Sequence, residues 1–306
     1  MKKNDALKIK KIGLVIKHHQ PKAAEFAAQV AEFILFKKVQ IYFAQESQSL
    51  AKMLIKTLLK GTKMVRIVPK EELVDYCDLI VVLGGDGTFL SIARLMKNHS
   101  IPVMGINMGQ LGFLTEIKKH ETIQTLGDII DGIPPLIHER ALLEVTLVRK
   151  DKVVFQGPVV NDAVISKGAI ARIIGIQIWV NDKWVHNIRA DGIIVSTTTG
   201  STAYSLAAGG PIIDPSVPAL VITPICPHSL TLRPLVIPDT SVVRMCLNHR
   251  PGHVLLTLDG QDAVDMKEDD VVTVRRFKKH SLKIISSPTR DYFSLLREKL
   301  KFGIRD

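Results

Sequence analysis

Apolar runs and amphipathic stretches alternate through the first third of the chain. Residues 11–16 (KIGLVI) and 39–44 (VQIYFA) are apolar runs of strand length. Between them, PKAAEFAAQVAEFILFKK repeats its apolar positions at helical spacing, with Pro21 near the start. SLAKMLIKTLLKG has the same period and stops at Gly61. LIVVLGG, closing at Gly85, is a continuous apolar run suited to a strand covered on both faces. A helix is expected from Thr88, because Phe89, Ile92, Ala93 and Met96 recur at its spacing, and IPVMGIN then reads as another strand. Such alternation predicts a parallel sheet with helices on both faces. Ligands on these sheets bind beyond the strand C-termini.

Near IPPLIHERALL the period shortens to two. LLEVTLVRKDKVVFQG reads as a hairpin across Lys150-Asp151-Lys152, and IIGIQIWVNDKWVHNI as another turning at Asn181-Asp182. VVRMCL, HVLLTLDGQDAV, VVTVRRF and SLKII continue the strand pattern. The second half is therefore expected to be mostly β and sandwich-like. In DYFSLLREKLKF, Phe293, Leu296 and Leu300 share one helical stripe, which predicts a C-terminal helix packing back onto another element. The fold class is α/β: a parallel-sheet domain over 1–135, then a β-rich domain over 136–306 that includes this helix.

Composition narrows the setting. The 306 residues suffice for two cores, and the longest apolar stretch, AAEFAAQVAEFILF, is broken by Glu25, Gln29 and Glu32, so no membrane span is expected. The basic N-terminus lacks an apolar signal core. Cys77, Cys226 and Cys246 are too few and too scattered for a disulfide framework or a zinc site, which suits a reducing, cytoplasmic protein. A net charge of +11 favours anionic partners. Aromatic residues are only 5% and are not interleaved with the basic ones, which argues against a nucleic-acid platform.

The candidate chemistry lies in two stretches. In GGDGT, Gly84, Gly85 and Gly87 allow a sharp turn and a close approach to the main chain. The helix start after it, with Thr88, suits a phosphate. Asp86 is then a carboxylate in an anion loop, either holding a cation or taking a proton from a hydroxyl. The plainer alternative is a helix cap. NIRADGIIVSTTTGSTAYSLAAGGPI carries four consecutive hydroxyl side chains, Ser196 to Thr199, with Ser201 or Thr202 as the expected cap of a short helix. Its hydroxyls and N–H groups would suit ribose or phosphate. Asn161-Asp162 and Asp259-Gly260-Gln261 both read as turns, although Asn161 could also recognise a base edge.

In order along the chain, GGDGTFL, GINMGQLGFLTE, NDAVI, RADGIIVSTTTGSTAYSLAAGGPI, PHSLTLRPLVIP and LDGQ resemble the bacterial NAD kinase family over roughly residues 80 to 262. The resemblance implies transfer of the γ-phosphoryl group of ATP to the 2′-hydroxyl of the adenosine ribose of NAD. It also implies a divalent metal, usually Mg²⁺, and a homodimer or homotetramer. It matches Asp86 to the general base, with Gly87 beside it, and Phe113 to an aromatic near the adenine. Asn161 and Asp162 match the adenine-side pair, and Arg172 and Arg189 match basic positions near the nucleotide. Asp191, Thr202, Ala203, Tyr204, Ser205, Leu206, Ala207 and Gln261 match the NAD pocket. Three positions depart from the family pattern: Asp162 stands where Glu is frequent, Thr198 where Pro is usual and Met108 where Arg is frequent. Two other readings are a lipid kinase sharing the glycine loop, which the hydroxyl-rich segment disfavours, and a nucleotide-binding regulator or RNA-binding protein.

Overall fold

Four of the expected strands line up in the first unit of this computed structural model, which describes residues 6–17, 21–47, 64–96, 99–168, 172–249 and 252–301. The helix expected over SLAKMLIKTLLKG lies outside the described residues. Lys11–Ile16, Gln40–Ala44, Leu79–Gly84 and Val103–Asn107 pair in parallel, and Val65–Val68 adds a further parallel strand that the sequence pattern does not announce. The sheet order is Val65–Val68, Gln40–Ala44, Lys11–Ile16, Leu79–Gly84, Val103–Asn107, Leu282–Ile285, Ile137–Arg140. Successive strands step outward on opposite sides of Lys11–Ile16. The order therefore reverses between Lys11–Ile16 and Leu79–Gly84, and the glycine loop leaves the sheet at that point.

The helix Pro21–Phe36 forms because Ala23, Ala27, Val30, Ala31 and Ile34 make one apolar stripe, buried against Ile12, Leu14, Leu79 and Val81. A second helix on that face, Lys119–Ile130, goes beyond the elements read from the sequence; it buries Leu126, Gly127 and Ile129, with Ile123 and Ile130 packed beside them. Leu73–Tyr76 and Asp86–Ala93 are the described helices near the opposite face.

The chain divides into two compact units, Met1–Glu139 with Leu282–Asp306, and Arg140–Ser281. The division differs from the expected one at its far end. SLKII reads as one more strand of the β-rich half, yet Leu282–Ile285 joins the parallel sheet, with Ile284 opposite Val103 and Ile285 opposite Met104. An apolar run of four residues carries no mark of the sheet it will enter. The C-terminal helix, Tyr292–Leu300, goes with it. Its buried residue is Leu295, whereas Phe293 is exposed, so the expected stripe is rotated.

The second unit is a sandwich of two antiparallel six-stranded sheets. One has the order Lys183–Ala190, Ile174–Val180, Val243–His249, Val271–Arg276, Leu143–Arg149, Lys152–Val159. The other runs Leu235–Pro238, Ala219–Ile225, Gly192–Thr197, Asp162–Lys167, Val254–Leu258, Asp262–Met266. Alternate residues of both, among them Val145, Ile165, Ile176, Val195 and Leu256, share one apolar core. The hairpin turns Lys150-Asp151 and Asn181-Asp182 have positive φ at both residues, as type I′ turns require.

Candidate active site

Asp86 does not cap its helix. The cap position is Gly85, and no side chain closes it. The Asp86 carboxylate instead receives the loop after Val103–Asn107. Its Oδ1 accepts from Leu114 N–H (3.1 Å), Thr115 N–H (3.0 Å) and the Thr115 hydroxyl (3.0 Å). Among the described residues, its Oδ2 accepts only from Phe113 N–H (2.9 Å). Lys299 Nζ stands 4.0 Å from Oδ2, and the Asp86 side chain keeps 28% of its surface exposed. A carboxylate oxygen has room for about two good donors. Oδ1 is therefore filled and Oδ2 retains an open lone pair. Gly112 makes the arrangement possible, because a Cβ there would come within 2.0 Å of Asp86 Oδ1.

The same loop is tied elsewhere. Asn107 accepts from Gly109 N–H (2.7 Å) and donates to the Gln110 carbonyl. Arg290 donates to the Glu116 carbonyl (2.8 Å) and pairs with Glu121, both side chains being about nine-tenths buried. Burial opposes ionisation of Glu121, but the Thr289 hydroxyl, the Lys118 N–H and Arg290 hold its carboxyl below the usual range. Beside this loop, Asn107, Met108, Gly109, Leu111, Lys118, Lys119 and Glu298 line a cavity of about 290 Å³. Met108 thus faces space at the position where the resemblance leads one to expect an arginine.

In the second unit, a reading of Asp259 as a hairpin turn residue is correct for its backbone, with φ of +51°. It misses the side chain. The Asp259 carboxylate accepts from Asn161 N–H (2.7 Å), Val160 N–H (3.0 Å) and Asp162 N–H (3.2 Å). It fixes the Asn161-Asp162 corner. A visible signal was the repeat of acidic residues at tight turns, where a short carboxylate reaches neighbouring N–H groups. Asp162 is 4% exposed. Burial, and then the charge of Asp259, push its carboxyl from 3.8 up to about 7. Directly opposite it on the adjacent strand is Ser196, whose buried hydroxyl has no hydrogen-bond partner among the described residues.

The hydroxyl run faces inward more than the sequence reading expects. Thr197 donates to the Val160 carbonyl (2.6 Å) and accepts from Gly200 N–H (2.9 Å). Ser201 donates to the Thr198 carbonyl (2.7 Å), and Ser205 bonds Thr223 (2.8 Å). Neither Ser201 nor Thr202 caps the short helix Tyr204–Ala207, whose cap is Ala203. The hydroxyls fold the loop around Asn161: a Cβ on Gly200 would lie 2.1 Å from the Asn161 carbonyl oxygen. Tyr204, Ala207, Gln261, Arg172 and Arg189 are exposed, and Thr202, Ala203 and Leu206 are part-exposed. Asp191 pairs with Lys167 at 2.9 Å. The structure thus gathers Asn161, Asp162 and the 200–207 loop in one place, and Asp86, Gly87 and Phe113 in another. Among the described residues, no group of three or more His, Cys, Asp or Glu is placed to hold a metal by itself.

Comparison with known proteins gives the family of the chain. Residues 12–133 match the ATP-NAD kinase N-terminal domain, and 160–287 the ATP-NAD kinase C-terminal domain. The NAD kinase of Trichlorobacter lovleyi is 39% identical over 97% of this chain and its own full length. That of Geobacter metallireducens is 46% identical over 78% of this chain and 83% of its own. Among solved structures, yeast NADH kinase complexed with NADH superposes with a TM-score of 0.88 at 26% identity, covering 98% of this chain and 89% of its own. An Archaeoglobus fulgidus NAD kinase in complex with ATP shares the fold, with a TM-score of 0.70 at 22% identity over 94% of this chain and 99% of its own. The chain belongs to the ATP-NAD kinase family.

Proposed function

We propose that Asp86 is the base through which this chain performs the activity of its family. In that reaction the γ-phosphoryl group of ATP passes to the 2′-hydroxyl of the adenosine ribose of NAD, giving NADP and ADP. The observation that carries the assignment is the asymmetry of the carboxylate, with Oδ1 saturated and Oδ2 open on a part-exposed face. Oδ2 can accept the proton of the attacking hydroxyl as its oxygen bonds to phosphorus and the bond to the ADP oxygen breaks. Held at four points, the carboxylate needs little reorganisation to act.

The nucleotide-binding groups proposed on the second unit are Asn161, Asp162, Arg172, Arg189, Asp191, Thr202 to Ala207 and Gln261. Gly84, Gly85, Gly87 and Thr88 are proposed to face the ATP phosphates. A Mg²⁺, when bound, would be carried by the substrate phosphates and water, which leaves Asp86 Oδ2 for the proton. When bound, such an ion neutralises charge on the transferring group. A cytoplasmic setting suits the free thiols Cys77, Cys226 and Cys246. A homodimer or homotetramer suits the apolar side chains left exposed on the second unit, Trp184, Leu230 and Val236 among them. Light scattering is expected to show a species larger than 33.9 kDa at micromolar concentration.

The decisive assay incubates the purified chain with ATP, Mg²⁺ and NAD and follows NADP, for the wild type and for Asp86→Asn. Wild-type turnover together with a folded, nearly inactive variant is the expected result. An Asp86→Asn enzyme at more than about a tenth of the wild-type rate removes the base assignment, since loss of a general base costs about 10²–10⁴-fold.

A further inference from the structure

The helix Tyr292–Leu300 lies beyond both matched family segments, which end at 133 and 287. It nevertheless reaches the Asp86 loop. Leu295 is its buried anchor at 2% exposure, and Lys299 follows four residues later on the same helical face. The Lys299 ammonium donates to the Leu111 carbonyl at 3.0 Å and stands 5.2 Å from the centre of the Phe113 ring. It is also 4.0 Å from Asp86 Oδ2, the oxygen with the open lone pair. The start of the helix is equally fixed. Asp291 accepts from Ser294 N–H at 2.8 Å, and Arg290, just before it, grips the Glu116 carbonyl and Glu121. This C-terminal segment therefore holds the loop that cradles Asp86 at both of its ends.

We propose that Lys299 is a positioning residue for the phosphoryl transfer, acting through Asp86. Its bond to Leu111 and its place over Phe113 set the segment whose N–H groups orient the carboxylate. Its charge sits beside Oδ2 and fixes the direction of that oxygen, without itself reaching the transferred group. A helix that served only to cover the sheet would need Leu295 but no cation one turn later. The proposal rests on the reading of Asp86 as the base.

The test measures kcat, and KM for ATP and for NAD, in Lys299→Met, Lys299→Arg, Asp86→Asn and the double variant Asp86→Asn/Lys299→Met, with folding followed by circular dichroism. Met keeps the aliphatic stem and removes the charge. The expected result is a kcat reduced about tenfold or more in Lys299→Met, both KM values within about twofold, and substantial recovery in Lys299→Arg. The double variant should be no slower than Asp86→Asn within about twofold, because the lysine acts through that carboxylate. A wild-type kcat in Lys299→Met overturns the proposal. So does an equal loss in the Met and Arg variants, or a further full loss on the Asp86→Asn background. Unfolding of Lys299→Met that Lys299→Gln reproduces assigns the residue to structure alone and also overturns it. An active Asp86→Asn enzyme removes the base and this proposal together, whereas an inactive one beside a fully active Lys299→Met removes this proposal only.

Discussion

Asp86 and Asp259 solve the same problem in different units: each carboxylate gathers consecutive backbone N–H groups of another loop. That geometry makes substitution by asparagine unequal to a simple loss of charge. In Asp86→Asn, the amide oxygen can replace Oδ1 toward Leu114 and Thr115, but the amide nitrogen then confronts the Phe113 N–H. One unpaired donor costs about 1–3 kcal/mol when buried, and the lower end applies at a part-exposed site. We expect Asp86→Asn to lose about 1 kcal/mol in urea unfolding as well as its turnover, whereas a mere helix cap would lose a few tenths. Asp162 gives a pH prediction. Its folded pKa, about 7, lies above the ordinary 3.8. The folded protein therefore retains a proton that the unfolded chain releases, and stability falls as pH rises from about 4 toward 7. Asp162→Asn mimics the neutral acid. It should flatten that slope and be the more stable protein at pH 8, by a margin on the order of a few kcal/mol. Denaturant midpoints between pH 4 and 8 decide this, and parallel slopes in both proteins would exclude it.

At the scale of elements, the legible parts were those governed by local rules. The two type I′ turns announce themselves through Lys-Asp and Asn-Asp between alternating strands, and the helix Pro21–Phe36 through its apolar stripe. What could not be read depended on partners distant in sequence. Lys119–Ile130 packs Ile123, Leu126, Ile129 and Ile130 on the core, and Gly127 lets it approach Phe33 of the neighbouring helix closely. The hydroxyls of Thr197 and Ser201 look like ligand donors in sequence, yet they bond to carbonyls of their own loop and of Val160. Of the candidate site, the residue types and their grouping were legible, but the receiver of the Asp86 carboxylate was not. Gly112 tests that receiver. Gly112→Ala places a methyl group against Asp86 Oδ1, so the 113–115 cradle must shift. The expected outcome is a fall in kcat of about 10²-fold, as for small misplacements of a reacting group, with NAD affinity by calorimetry little changed. Wild-type kcat in this variant would show that the cradle is dispensable.

For the whole molecule, the division into Met1–Glu139 with Leu282–Asp306 and Arg140–Ser281 makes the first unit discontinuous. Leu282–Ile285 is an inner strand, lying between Val103–Asn107 and Ile137–Arg140 in the sheet order. Deleting 282–306 removes that strand together with Arg290, Leu295 and Lys299, and leaves Glu121 without its buried cation. Losing one partner of a buried pair costs about 3–5 kcal/mol even before the strand is counted. The truncated chain should keep the protected amides of the sandwich, whose core is drawn from residues 143–274, and lose those of Leu79–Gly84 and Val103–Asn107 in hydrogen exchange. Retained protection in both strands would show that the first unit stands without its last piece.

The inner position of Leu282–Ile285 also bears on how the protein is made. Synthesis delivers residues 11–107 early, but the strand that completes their sheet leaves the ribosome only after the whole sandwich unit has been translated. At about 5–20 residues per second, the roughly 175 residues between Val103–Asn107 and Leu282–Ile285 impose a delay of about 9–35 seconds. During that interval the Val103–Met104 end of this edge lacks its neighbour and is open to pairing with other chains, whereas Ile117 already bridges the Gly105–Asn107 end. A chaperone that shields nascent β-edges should therefore raise the yield of active enzyme more than it raises the yield of Arg140–Ser281 expressed alone.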